Sequence, residues 1–277
     1  MHDCLEGINT VIDTGSSLLS FMAYDPQLPV SVTRVPNMEV FLRLSQRGRD
    51  SVREPRVLLV GAEGKAGQRR LDNMSDELRF LAELFPQATV LAGDAATERQ
   101  LAAMNRSNSI RSYDVIHLAC HAETAVAALE SALILNDAGS HGPGADGRLE
   151  AAELAFEYDL APDLVTLSGC STARNQARVW REYHSLAQVL VAGGARRVLA
   201  SRWDVDDRAT ALFMEHFYRE LERLRAATIP DSAGSATIHA RAFGDATRWL
   251  RDLEDADGNR PYAHPIYWSG FTLIGLP

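Results

Sequence analysis

Residues 113–123 read YDVIHLACHAE, and residues 163–173 read DLVTLSGCSTA. Each is a short branched-apolar run that stops at a reactive side chain, His121 in the first and Cys170 in the second. Continuous apolar runs of this length, closed by polar or glycine residues, are the pattern of strands buried on both faces of a parallel sheet. In an open parallel sheet, ligands and chemistry sit beyond the carboxyl ends of the strands. His121 and Cys170 both fall at such ends, so if the two strands are neighbours an imidazole faces a thiol.

The rest of the chain supplies the sheet that such strands need. RVLLVG (56–61) and ATVLAG (88–93) read as strands, with a helix at 71–85 between them whose Leu78, Leu81 and Phe85 form one stripe. Thr97 and Gln100 have the spacing of a helix capping box. SALILND (131–137) reads as a further strand that runs into a glycine-rich loop at 138–148, and LEAAELAF (149–156) as a short helix. YHSLAQVLVAGG (183–194) is a helix stopped by paired glycines, and RRVLASRW (196–203) is the next strand. Phe213, Phe217, Leu221 and Leu224 stripe a long helix, and residues 239–253 form another. IYWSGFTLIG (266–275) reads as a closing strand. Alternating strands and helices define an α/β fold, a mostly parallel central sheet flanked by helices on both faces. VSVTRVPNMEVFLRL (30–44) reads as a strand, a proline break and a helix. With no linker-like tract beyond it, residues 31–277 are expected to be one domain and residues 1–30 an N-terminal arm.

Composition narrows the function. The chain has 277 residues, 46% hydrophobic and 23% charged, an ordinary globular mix with enough length for a sizeable core. A net charge of −9 with no basic run disfavours direct binding of nucleic acid. Cys4, Cys120 and Cys170 are too few, and odd in number, for a disulfide framework, which points to a reducing compartment. No apolar run approaches a membrane span of about 20 residues. The N-terminal MHDCLEGINTVIDTG lacks the regions of a signal peptide, so a cytoplasmic location is expected.

The chemistry of the pair fits acyl transfer. A thiol with an ordinary pKa of about 8.5 is a weak nucleophile at neutral pH until a nearby imidazolium or helix N-terminus favours the thiolate. The histidine then protonates a leaving amine. Backbone N–H groups suffice for an oxyanion hole, and those of Cys170 and Ala122 sit on the two tips. Against this stands the base rate that a lone cysteine at a strand end is more often core than nucleophile. Cys120 and His117 are read as structural. On a strand, His117 and His121 lie about 13 Å apart, too far to share an ion. GAEGKAG (61–67) has the order of neither phosphate-loop motif. No metal and no nucleotide cofactor is expected.

These segments, taken in order, resemble the CHAT family of caspase-like cysteine proteases, a family related to caspases and separases. The resemblance runs from about residue 30 to the C-terminus. It rests on residues 32–44, RVLLVG, residues 75–101, DVIHLACHAE (114–123), SALILND with GRLEAAEL (147–154), LVTLSGCSTA (164–173), residues 185–221 and YAHPIYWSGFTLIG (262–275). It implies a three-layer caspase-like sandwich with His121 and Cys170 as a catalytic dyad, 49 residues apart (121 to 170). That spacing matches the roughly 50-residue separation known for caspases. It also implies a protein substrate and an activating or sensor partner, since CHAT domains commonly follow tetratricopeptide repeats.

Several positions depart from the family pattern. Ala122 replaces a usual glycine, STARNQARVWREYH (171–184) replaces a glycine-bearing segment after the cysteine, and Arg202 stands where an apolar residue is common. WDVDD (203–207) resembles a separase stretch near an acidic residue that receives a substrate arginine. Asp204 and Asp206, with Ser168 and Arg202, are therefore candidates for the pocket that takes the residue before the cut, here a basic one. The alternative for Asp206 or Asp207 is a helix cap. Two functions stay open: an endopeptidase cutting after a basic residue, and a pseudoprotease that keeps the fold as a signalling or binding module.

Overall fold

The computed structural model describes residues 10–13, 31–35, 38–46, 54–63, 71–123, 125, 127–136, 146–169, 183–228 and 237–276. Its centre is an eight-stranded sheet in the order β1-β2-β11-β10-β9-β5-β3-β4. The strands are β1 (Thr10–Asp13), β2 (Ser31–Arg34), β3 (Val57–Gly61), β4 (Thr89–Ala92), β5 (Val115–Ala119), β9 (Leu164–Ser168), β10 (Arg197–Ser201) and β11 (Phe271–Gly275). All neighbours are parallel except β10 and β11, so five strands run one way and β11, β2 and β1 the other. Thr10–Asp13, inside the expected arm, is thus an edge strand of this same sheet.

Helices cover both faces: α1 (Met38–Gln46), α2 (Met74–Leu84), α3 (Glu98–Arg106), α4 (Ala151–Phe156), α5 (Tyr183–Gly193), α6 (Asp207–Ala227), α7 (Ile238–Asp252) and α8 (Pro265–Trp268). Strand alternation sorts the core into two layers. Ile116, Leu118, Val165 and Leu167 face α1, α3, α4 and α5 through Leu44, Leu101, Leu154 and Leu190. Val115, Ala119 and Leu164 face α2, α6 and α7 through Leu81, Phe213, Phe217 and Leu250. Phe213 stacks on Phe271 with ring centroids 3.9 Å apart, which joins α6 to β11.

One expected strand gains a sheet assignment and another is shortened. SALILND does not enter the main sheet; its Ala132–Ile134 is β7 of a three-stranded antiparallel sheet with β6 (His121–Glu123) and β8 (Arg148–Glu150). The chain leaves the main sheet immediately after β5 and turns His121 into this second sheet. The expected strand at 266–275 is half helix: Pro265 supplies a preset φ at the first turn of α8, and His264 Nδ1 accepts from Ile266 N at 3.2 Å. Thr97 caps α3 as expected, accepting from Gln100 N at 3.2 Å. A reciprocal capping box occurs instead at Glu150 and Glu153, where α4 begins.

At the amino end of β9 and β10, Asp163 is buried among Arg197, Arg196 (Nε 3.5 Å away) and His239 of α7, whose Nε2 lies 3.2 Å from Asp163 Oδ2. Burial alone raises a carboxyl, but these three partners outweigh it and hold Asp163 well below the carboxylate range. Burial, reinforced by Arg197, lowers His239 to about 4. His239 is thus neutral when folded and takes up a proton on unfolding below its ordinary 6.5. Its contribution to stability is present above that value and is lost as the pH falls toward 4. Glu98 acts in the opposite sense over much of the same window, because burial and Glu153 raise its carboxyl to about 7. The signature is therefore a difference: between pH 7 and pH 4 the wild type should lose ~3 kcal/mol relative to His239→Gln, measured by urea unfolding. Parallel pH profiles for the two proteins would contradict this account.

Candidate active site

The carboxyl ends of β3, β5, β9 and β10 lie side by side. β5 and β9 are directly paired, with Ala119 opposite Ser168, and β3 flanks them with Gly61 opposite Ala119. The pairing continues past the strand ends, since Cys120 N donates to Ser168 O at 3.1 Å. Gly169, at φ +150°, packs against the Cys120 backbone, and a Cβ there would lie 2.9 Å from the Cys120 carbonyl carbon. His121 is thus one residue past the last contact on β5. Cys170 itself lies outside the described residues, as does its following segment to residue 182.

His121 is fully buried (0% exposed) and opens β6 opposite Ile134. Ala122 is also buried and forms the next rung, opposite Leu133, so a nitrogen expected at an oxyanion hole belongs to a residue of the small sheet. Glu123 ends β6 and is ion-paired with Arg148 of β8. Cys120, between the two sheets, is a core residue whose thiol burial pushes up to about 12, far from a working thiolate.

The acidic candidates separate. Asp206 is the N-cap of α6, its Oδ1 accepting from Ala209 N at 2.9 Å. Asp207 Oδ2 accepts from Asn73 N at 2.9 Å and from its side-chain amide at 2.6 Å, tying α6 to the start of α2. The helix-cap alternative therefore describes Asp206. Asp204 is exposed, just past the end of β10. Arg202 Nη2 donates to Ser269 O at 3.1 Å, and its guanidinium lies 5.1 Å over the Trp203 ring. Trp203 Nε1 in turn donates to Ile266 O at 2.9 Å. Ser168 is buried at the tip of β9. The loop 202–206 is therefore held against residues 266–270 at the same end of the sheet as His121. Trp203, which the sequence does not mark as a site residue, directly precedes Asp204 in this loop.

Among the described residues, no group of three His, Cys, Asp or Glu side chains is placed to hold a metal ion. No described helix is long and apolar enough to cross a membrane.

A mostly parallel central sheet between two helical layers is the architecture of caspase-like folds. A CHAT-domain family profile matches residues 25–276, and the chain belongs to that family, whose caspase-like fold is that of clan CD cysteine proteases. Separase, in a Saccharomyces cerevisiae separase–securin complex, superposes with a TM-score of 0.53 at 16% identity, covering 93% of this chain and 15% of that one. The Arg-specific cysteine proteinase gingipain R gives 0.52 at 11% identity, covering 92% and 56%. At these identities the likeness is one of fold. In sequence, mouse Tetratricopeptide repeat protein 28 is 28% identical over 127 residues, 46% of this chain and 4% of that protein. The chain thus spans a small part of that relative and of separase, and about half of gingipain R.

Proposed function

We propose that this chain is a cysteine endopeptidase working through His121 and Cys170. The observation that carries this reading is the β5–β9 register, extended by the Cys120 N–Ser168 O bond and the Gly169 contact. In sequence, the residues that follow Cys120 and Gly169 are His121 and Cys170. In the reaction, the Cys170 thiolate attacks the scissile carbonyl carbon, forming a C–S bond while the carbonyl electrons move to oxygen. The backbone N–H groups of Cys170 and Ala122 stabilise that oxyanion. The C–N bond then breaks as His121 gives its proton to the departing amine. His121 next takes a proton from water, whose oxygen attacks the thioester and releases the acid and the thiolate.

The substrate is a protein, cut after a basic residue. The acidic loop supports this through Asp204, exposed just past the end of β10, and so does the fold shared with an Arg-specific proteinase; Asp206 adds its charge from the helix cap. Ser168 contributes to the pocket floor. Arg202, anchored on Ser269 O, is directed to the backbone rather than into competition with a substrate cation. A repeat-containing sensor is the proposed partner, in line with the tetratricopeptide relative, and the proposed setting is the cytoplasm. The second reading, a pseudoprotease used as a binding module, draws on one observation: His121 has no exposed surface, so substrate reaches it only after what covers it moves.

Digestion of a proteome-derived peptide library, with cut sites read by mass spectrometry, tests the reading. Cuts after Arg or Lys that vanish in Cys170→Ala support it; a library left whole by the wild type favours the pseudoprotease. Asp204→Asn should lower kcat/KM for arginine peptides by about 10- to 100-fold, the worth of one charge-assisted contact, and leave cuts after neutral residues unchanged.

A further inference from the structure

Apart from Ser168 at the tip of β9, the polar residues of β5 and β9 share one rung, His117 opposite Thr166. Both side chains point into the layer of α2 and α6, and both are fully buried. There the hydroxyl of Tyr218, from the middle of α6, lies 2.7 Å from Thr166 Oγ1 and 3.3 Å from His117 Nδ1. One buried hydroxyl thus touches both strands. The Tyr218 ring is held edge-on by Phe85 and Phe217, with centroids 5.9 and 5.2 Å away. Burial drives its phenol upward, so it stays a neutral hydroxyl. On its far side His117 Nε2 is 3.1 Å from Glu77 Oε1 of α2, a contact off the ring's N–H axis and hence electrostatic rather than an aligned hydrogen bond.

Burying these polar groups costs stability that valine and phenylalanine would not, and the cost is offset only while every partner is in place. A one-residue slip of β9 against β5 would turn Thr166 into the opposite layer, away from Tyr218, and strand its hydroxyl. We propose that Tyr218, with Thr166 and His117, is a clamp that sets the register of β5 against β9 and so positions the two strand tips, making these three positioning residues for the reaction. This rests on the dyad reading for its functional consequence, but the clamp itself is a property of the two strands.

The test compares Tyr218→Phe and Thr166→Val, which remove one hydroxyl each at nearly constant volume, with Thr166→Ser, which restores it. Tyr113→Phe serves as the control, because it breaks a similar bond, Tyr113 OH to Thr89 Oγ1 at 2.9 Å, that does not join β5 to β9. The first readout is hydrogen exchange of the Cys120 amide, which bonds Ser168 O across the strand tips. After correction for global stability, exchange should quicken by about tenfold in Tyr218→Phe and Thr166→Val, and stay within about twofold of wild type in Thr166→Ser and Tyr113→Phe. Equal exchange in Tyr218→Phe and Tyr113→Phe overturns the clamp, and if Tyr218→Phe fails to fold, Thr166→Val decides alone. The second readout is alkylation of Cys170 at pH 6, expected to slow by about tenfold in the clamp variants only. A wild-type Cys170 with ordinary thiol reactivity defeats the dyad reading, and the Cys120 exchange then judges the clamp by itself.

Discussion

His121→Gln is expected to retain less than about one part in 10³ of the wild-type kcat/KM on a susceptible peptide, and Cys170→Ala to retain nothing measurable. Glutamine can fill the imidazole's place and keep a hydrogen bond, but it neither stabilises a thiolate nor carries a proton to the leaving amine. Both losses therefore fall on kcat, with KM nearly unchanged, because neither group binds the substrate's ground state. Circular dichroism and melting temperature should match the wild type for Cys170→Ala. His121 is buried at the start of β6, so some loss of stability is expected for His121→Gln. A His121→Gln protein that cuts within about tenfold of wild type would show that another base serves Cys170, and would remove the dyad.

The second large effect is structural. Gly169→Ala should cost ~3 kcal/mol or more and reduce cleavage by at least about 100-fold. The added Cβ meets the backbone of Cys120, which cannot swing away as a flexible side chain would, and the φ of +150° is itself unfavourable for alanine. The tips of β5 and β9 must part, and the residue after Gly169 is the proposed nucleophile. Gly258→Ala is the matched comparison: its φ is also positive, at +78°, but nothing lies within 4 Å of its Cβ. It should cost only ~1 kcal/mol and leave cleavage unchanged. Equal effects at the two positions would show that backbone angle matters and the close approach does not.

What could be read from sequence follows the length of each pattern. The runs that became β3, β5, β9 and β10 are mostly apolar because both faces of each strand are covered, so they stand out without any neighbour's help. The stripe of Phe213, Phe217, Leu221 and Leu224 spans three turns of α6, and all four residues are buried. The strands β6, β7 and β8 have three residues each, too few for alternation to be distinguishable from chance, and their pairing depends on contacts across distant parts of the chain. That is why the sequence marks Ala132–Ile134 as a strand without showing which sheet it joins. His117 and Thr166 show in the sequence as polar interruptions of apolar runs, but Tyr218 is 101 residues from one and 52 from the other. The same holds for Asp163 and His239, whose pairing exists only once α7 closes over the sheet. The WDVDD segment admitted both a pocket and a cap, and only the bond to Ala209 N assigns Asp206 to the cap.

The most direct measurement is the rate of iodoacetamide alkylation at Cys170, followed peptide by peptide from pH 5 to pH 9 in wild type and His121→Gln. The dyad predicts that Cys170 in the wild type reacts rapidly below pH 7, whereas His121→Gln reacts only as the pH approaches the ordinary thiol value of about 8.5. Buried Cys120 should stay unmodified in both and serves as the internal control for folding. Superimposable profiles rising together near that ordinary value would mean that His121 does not act on Cys170, and would contradict the account at its centre.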